Sequence, residues 1–176
     1  MPEAKLVLRG CVRAVLPENI DTDIIYPGRY LNITDREKTA EHLFELAYPG
    51  IRAELQPGEF IVAAANFGCG SSREQAASAL KYAGVGAVLA ASFARIFYRN
   101  AINLGLPAVV SPVAFKLCAP GDELEVDLTG GRVRNVTQGR EFASAPLDPR
   151  AIELLQAGGL IPYLKRKYAT AQGARP

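Results

Sequence analysis

Residues 58–92 read "GEFIVAAANFGCGSSREQAASALKYAGVGAVLAAS", and the punctuation of this stretch decides the fold. "GEFIVAAANF" (58–67) is a continuous apolar run of the length of a buried strand, whereas "SREQAASALKYAG" (72–84) is rich in helix formers and closes on Gly84, a residue suited to the position just past a helix end. "VGAVLAAS" (85–92) is the next buried strand. The order is strand, glycine loop, helix, strand. "FARIFYRNAINLG" (93–105) then sets Phe93, Phe97, Ala101 and Leu104 on one helical face and Arg95 and Arg99 on another, ahead of a short strand "PAVVS" (107–111). Two successive βαβ units predict parallel strands with right-handed crossovers.

Upstream, "KLVLRGCVRAVL" (5–16) alternates as a strand does and leads into "PENIDTDIIYPG" (17–28), where Pro17, Pro27 and Gly28 mark loop and turn. Asp21 and Asp23 suit an Asx-turn there. Thr34-Asp35-Arg36-Glu37 has the form of a capping box and predicts a helix near 35–47, ended by Pro49. His42, the only histidine, lies one position off the apolar stripe of that helix and reads as an ordinary, partly exposed side chain. Downstream of Pro120, "DELEVDL" (122–128) and "RVRNV" (132–136) alternate around Gly130-Gly131 as a β-hairpin. Asp148-Pro149 predicts the start of a helix through "RAIELLQA" (150–157), stopped by Gly158-Gly159 and followed by a second helical piece, "LIPYLKRKY" (160–168). Residues from about 168 to 176 read as a frayed tail. The expectation is one α/β domain over 1–176, a mixed sheet with flanking helices.

Composition narrows the function classes. The chain has 176 residues, 49% hydrophobic and 22% charged, which is ordinary globular usage. Its longest apolar stretch is interrupted by Arg95 before reaching the roughly 20 residues of a membrane span. The N-terminus lacks the order of a secretory signal, so a cytoplasmic protein is expected. Net charge is +2, with Lys165-Arg166-Lys167 as the single cationic run, so no nucleic-acid partner is expected. Cys11, Cys69 and Cys118 are far apart and form no C-x-x-C pair; by themselves they build neither a disulfide framework nor a metal or iron–sulfur site.

Three chemistries compete for "NFGCGSSRE" (66–74). A phosphate cradle would use the free backbone N–H groups of a glycine loop at a helix N-terminus. The match is partial, because Arg73 stands where a third small residue is needed and no Gly-Lys-Ser/Thr occurs. A capping box, Ser71-Ser72-Arg73-Glu74, accounts for Ser71 and Glu74 only. A site for an anionic substrate also accounts for Ser72, Arg73 and the glycines on either side of Cys69, and it is the reading we adopt.

"NIDTDIIYPGRYL" (19–31), "NFGCGSSREQAA" (66–77) and "FARIFYRNAINLGLP" (93–107), in this order, resemble the small-subunit family of 3-isopropylmalate dehydratases, and these are similar to the swivelling domain of aconitase. The resemblance runs from about Leu6 to Tyr163. It implies a swivelling β/β/α domain and a hydro-lyase that moves a hydroxyl between neighbouring carbons of a malate-type acid, as in leucine biosynthesis. It also implies that a [4Fe-4S] cluster sits on a separate large subunit, in a heterodimer or heterotetramer, and that this chain binds no cofactor or metal and is active only with that partner.

By the same resemblance Ser71 is the general base, Ser72 and Arg73 bind substrate carboxylate, and Asp23 belongs to the active site. An arginine fork suits a carboxylate through paired hydrogen bonds. A serine alkoxide needs backbone donors, a helix N-terminus and a cation nearby, which "GCGSSR" offers. Cys69 reads as a small packing residue. Arg29, Leu31, Asn32 and Ile33 match the segment that faces the variable end of the substrate. Homoaconitase-like relatives place an arginine after the Tyr-Leu pair to neutralise an extra carboxylate. Here Asn32 stands in that place, so Leu31 and Ile33 are expected to pack against an alkyl group. The resemblance therefore favours isopropylmalate, with citramalate or dimethylmalate next and homocitrate or homoaconitate lower. Read by itself, Arg29 is a solvent-facing turn residue sooner than a pocket residue, although its guanidinium reaches the pocket if the loop bends differently. Arg95, Arg99, Asn100 and Asn103 reach either the site, the large subunit or solvent. A nonenzymatic binding or assembly subunit is the alternative of another class.

Overall fold

The computed structural model describes residues 6–172. Its strands are β1 (Val7–Leu16), β2 (Phe60–Ala63), β3 (Ala87–Ala90), β4 (Ala108–Val110), β5 (Glu123–Asp127), β6 (Arg132–Asn135) and β7 (Arg140–Ala143). They form one sheet in the order β4-β3-β2-β1-β5-β6-β7. The half from β4 to β1 is parallel and the half from β1 to β7 antiparallel. β1 joins them: Val7 to Cys11 pair with β5, and Val12 to Leu16 pair with β2 across a register shift between Val12 and Ala14. The mixed α/β sheet expected from the sequence is present.

Burial explains the difference between the halves. Every residue of β2 and β3 is buried, so both faces of the parallel half are covered, whereas β5 and β6 alternate buried and exposed residues around Leu124, Val126 and Val133. The helices are α1 (Thr22–Ile25), α2 (Arg36–Glu41), α3 (Pro49–Glu54), α4 (Glu74–Tyr82), α5 (Arg95–Asn103), α6 (Ala114–Leu117), α7 (Pro149–Ala157) and α8 (Leu160–Gln172). α4 turns Ala76, Ala77, Ala79 and Leu80 into the core, and its small alanines let it pack closely against α2 and α5. α7 begins at the predicted Asp148, whose side chain accepts from Ala151 N, and ends at Gly158 with φ 84°.

Several boundaries differ from the sequence reading. The helix expected over 35–47 stops at Glu41, because Phe44, fully buried, takes a left-handed φ of 55° that turns its N–H onto the Ile25 carbonyl at 2.9 Å. Its N-cap is Asp35, accepting from Lys38 N, and not Thr34. The one-turn helix α1 replaces part of the loop expected over 17–28, with Asp21 making the anticipated Asx contact to Ile24 N at 2.8 Å. α3, α6 and β7 are too short to leave a periodic pattern in the sequence. α8 continues past Tyr168 through Gln172, into the stretch read as a frayed tail; 173–176 lie outside the described residues. No described helix is long and apolar enough to cross a membrane.

Candidate active site

The carboxyl ends of β1, β2 and β3 lie side by side, and the loops leaving them zip together through backbone contacts. Gly68 N donates to Ile20 O at 2.7 Å, Thr22 N to Cys69 O at 2.9 Å, Phe67 N to Ser92 O at 3.0 Å and Ala94 N to Phe67 O at 2.9 Å. The three motifs found in the sequence therefore converge at one sheet end, the usual place for a ligand in an open parallel sheet. Gly68 is required there by packing as well as by its φ of 78°, since a Cβ would lie 2.2 Å from the Phe97 ring.

A cavity of about 220 Å³ opens at this junction, lined by Thr22, Gly68, Gly70, Ser71, Ser72, Arg73, Ala94, Arg95, Ile96 and Phe97. The N-termini of α4 and α5 both border it. Arg73 is the N-cap residue of α4 and Ala94 that of α5, and neither helix receives a side-chain cap, so their first-turn N–H groups remain available at the positive end of each helix. The capping box expected at Ser71 does not form. The Thr22 hydroxyl donates to the Ser71 carbonyl at 3.1 Å and holds Ser71 out of the helix, which moves Glu74 from the third helical position to the first. Ser71 and Ser72 are thereby left exposed on the loop.

Arg73 is mostly buried and donates through Nη1 to Asp23 Oδ1, which also accepts from Gly28 N at 3.1 Å. A Cβ at Gly28 would come within 3.0 Å of Arg73 Nη1 and 3.1 Å of Asp23 Oδ1, so the glycine makes room for the pair. The structure brings Asp23, Ser71, Ser72 and Arg73 together as one neighbourhood. Cys69 sits half-buried beside them. Burial, with the charge of Asp21, pushes its thiol up, which suits packing and not nucleophilic attack.

The structure does not bring Arg29, Leu31, Asn32 and Ile33 into this cavity. Arg29 leans over the Tyr30 ring and pairs with Glu45 at 2.5 Å. Glu45 also accepts from the Tyr30 hydroxyl at 2.9 Å and contacts His42 Nδ1 at 2.5 Å, and the hydrogen bond from His42 leads the causes that hold its carboxyl below the usual range. His42 stacks on Tyr30 with ring centroids 3.5 Å apart, an anchoring role that its place in the sequence did not show. Leu31 packs on the core, Asn32 is exposed, and Ile33 lines a separate depression with Glu74 and Tyr82. Opposite charge and apolar burial draw the 28–33 segment toward residues 42–45 and the core. Its link to the cavity is Gly28 N on Asp23.

Sequence reasoning missed Thr22, a buried threonine between the two aspartates whose only signal was its place in "DTD", and left Arg95 open. A larger cavity, about 410 Å³, lies on the outer side of the antiparallel half. Its Arg9 and Arg134 approach Glu125 at 2.8 and 3.7 Å and neutralise it, so it offers a self-paired surface. Among the described residues no three His, Cys, Asp or Glu side chains converge as a metal-binding group. Cys11 is exposed on β1, and Cys118 is buried with its thiol pushed up to about 11 by burial. The chain's own residues therefore do not fit an iron–sulfur cluster.

The family model of the aconitase C-terminal domain matches residues 19–112, more than half of the chain. A 3-isopropylmalate dehydratase small subunit from Moorella thermoacetica is 54% identical over 153 residues, covering 87% of this chain and 92% of the relative. A methanogen homoaconitase small subunit from Methanothermobacter thermautotrophicus is 49% identical over 149 residues, covering 84% and 86%. The crystal structure of 3-isopropylmalate dehydratase from Methanocaldococcus jannaschii superposes with a TM-score of 0.89 at 37% identity, over 97% of this chain and 100% of that one.

Proposed function

The chain belongs to the 3-isopropylmalate dehydratase small-subunit family of aconitase-type domains, and from that premise we propose that it supplies the proton-handling and carboxylate-binding half of a two-subunit hydro-lyase acting on 2- and 3-isopropylmalate. The observation that carries this reading is the cavity in which Ser71, Ser72 and Arg73 stand between two uncapped helix N-termini. Ser71 removes the proton from the substrate carbon, its oxyanion stabilised by the helix-end N–H groups. The hydroxyl leaves the neighbouring carbon as water, protonated by an acid group of the large subunit; that water re-adds at the carbon that lost its proton, and Ser71 returns its proton to the carbon that lost the hydroxyl. Arg73 spends one N–H on Asp23 and keeps the rest of its fork for a substrate carboxylate, with Ser72 beside it. Asp23 orients that fork. In this reading the [4Fe-4S] cluster belongs to the large subunit, because the described residues bring together no ligand set for it.

Substrate choice is the finer part of the proposal, since relatives of nearly equal identity are named for isopropylmalate and for homoaconitase. Asn32, exposed and uncharged, offers no cation for a third carboxylate, and Leu31 and Ile33 are apolar. In the assembled enzyme this segment, tied to Asp23 through Gly28, would face an alkyl group.

The test is anaerobic reconstitution with a cluster-bearing large subunit and an alkene absorbance assay. The pair is expected to show a higher kcat/KM on isopropylmalate than on homoisocitrate, and Asn32→Arg to gain on the tricarboxylate. A native preference for homoisocitrate would overturn the substrate assignment.

A further inference from the structure

We propose that Arg95 is a second substrate-carboxylate ligand, acting beside Arg73; the inference rests on the dehydratase reading above. Arg95 lines the same cavity as Ser71, Ser72 and Arg73, and it is exposed. It is not held there by the protein. Among the described residues it makes no ion pair and no side-chain hydrogen bond.

Its position is also unfavourable for folding. Arg95 is the first residue of α5, where the helix dipole is positive, yet α5 has no capping side chain and no acidic residue in its first turn. α1, α2 and α7, by contrast, each start at an aspartate that accepts a backbone N–H. α3, α4 and α6 are uncapped as well; what sets α5 apart is that its first residue is an arginine on the cavity wall, which keeps positive charge there.

Charge balance says what that cation is for. Arg73 and Asp23 form an ion pair, so together they bring no net charge to the cavity. A malate-type acid arrives with two carboxylates. The uncompensated guanidinium on the wall is that of Arg95, and its planar fork can accept one of those carboxylates while Arg73 holds its share through the N–H groups Asp23 leaves free. A partner protein's acidic group could claim the same guanidinium, so binding of substrate and binding of subunit must be read separately.

In the reconstituted pair, Arg95→Gln is expected to raise KM for 2-isopropylmalate about ten- to hundredfold, the loss of a charged hydrogen bond, with kcat changed by less than about threefold. Arg95→Lys should fall between wild type and Arg95→Gln. Arg99→Gln, one turn on and outside the cavity lining, should leave KM unchanged. The melting temperature of Arg95→Gln should equal or exceed that of wild type, because a cation leaves the positive helix end. The proposal is overturned if KM stays at the wild-type value, or if the loss tracks a weakened affinity between subunits measured by titration without substrate. An active wild-type pair with an indifferent Arg95 sinks this inference alone; a wild-type pair with no turnover sinks the dehydratase reading beneath it.

Discussion

A serine hydroxyl is a weak base, so a proton-removing role for Ser71 depends on what surrounds its oxygen. Capping would have occupied that oxygen with the Glu74 turn. Instead Thr22 fixes the Ser71 carbonyl, Gly70 takes a φ of 86°, and the cap position falls two residues later on Arg73. The hydroxyl thus caps no helix, and Ser71→Ala removes no cap. We expect this variant, in the reconstituted pair, to lose at least about a hundredfold in kcat while KM and the melting temperature hold. Steady-state kinetics alongside a thermal melt checks it. A drop in stability of about 1 kcal/mol with kcat intact is the signature of a cap and would remove Ser71 from the mechanism.

Helix ends are where the element scale departs most from the sequence pattern. Thr34-Asp35 offers two adjacent oxygen acceptors, and the spacing to Glu37 favours the threonine. The chain chooses Asp35: its side chain accepts from Lys38 N at 2.9 Å, and its carbonyl accepts from the Thr39 hydroxyl at 2.7 Å. Asp35→Ala should therefore lower stability by about 1 kcal/mol, and Thr34→Ala should stay within about 0.5 kcal/mol of wild type. Urea denaturation of the two variants, at equal m-values, separates the assignments. An equal loss in both, or a larger loss for Thr34→Ala, contradicts the Asp35 cap.

On the proposed function, the whole molecule supplies one half of a site. Its cysteines are spread over β1, the cavity loop and the buried segment before β5, and no metal-binding cluster forms among the described residues. The purified chain alone should be colourless, hold no stoichiometric iron or sulfide, and turn over no malate-type acid until a cluster-bearing subunit is added. Iron and sulfide analysis after anaerobic reconstitution decides it, and a stoichiometric cluster on the lone chain would refute it. The βαβ order, the Asp148 cap and the grouping of candidate residues into three motifs were determined by the sequence itself, because hydrophobic period, glycine stops and proline starts are local properties. Which of those residues share a cavity was decided only when β1, β2 and β3 paired in parallel and aligned their carboxyl ends. That pairing set Asp23 on Arg73 and put Arg95 at the wall, while Glu45 drew Arg29 away to the Tyr30–His42 stack. Charge attraction and burial act across distances in the chain that no local pattern records, and they settle where a side chain points after the elements have already formed.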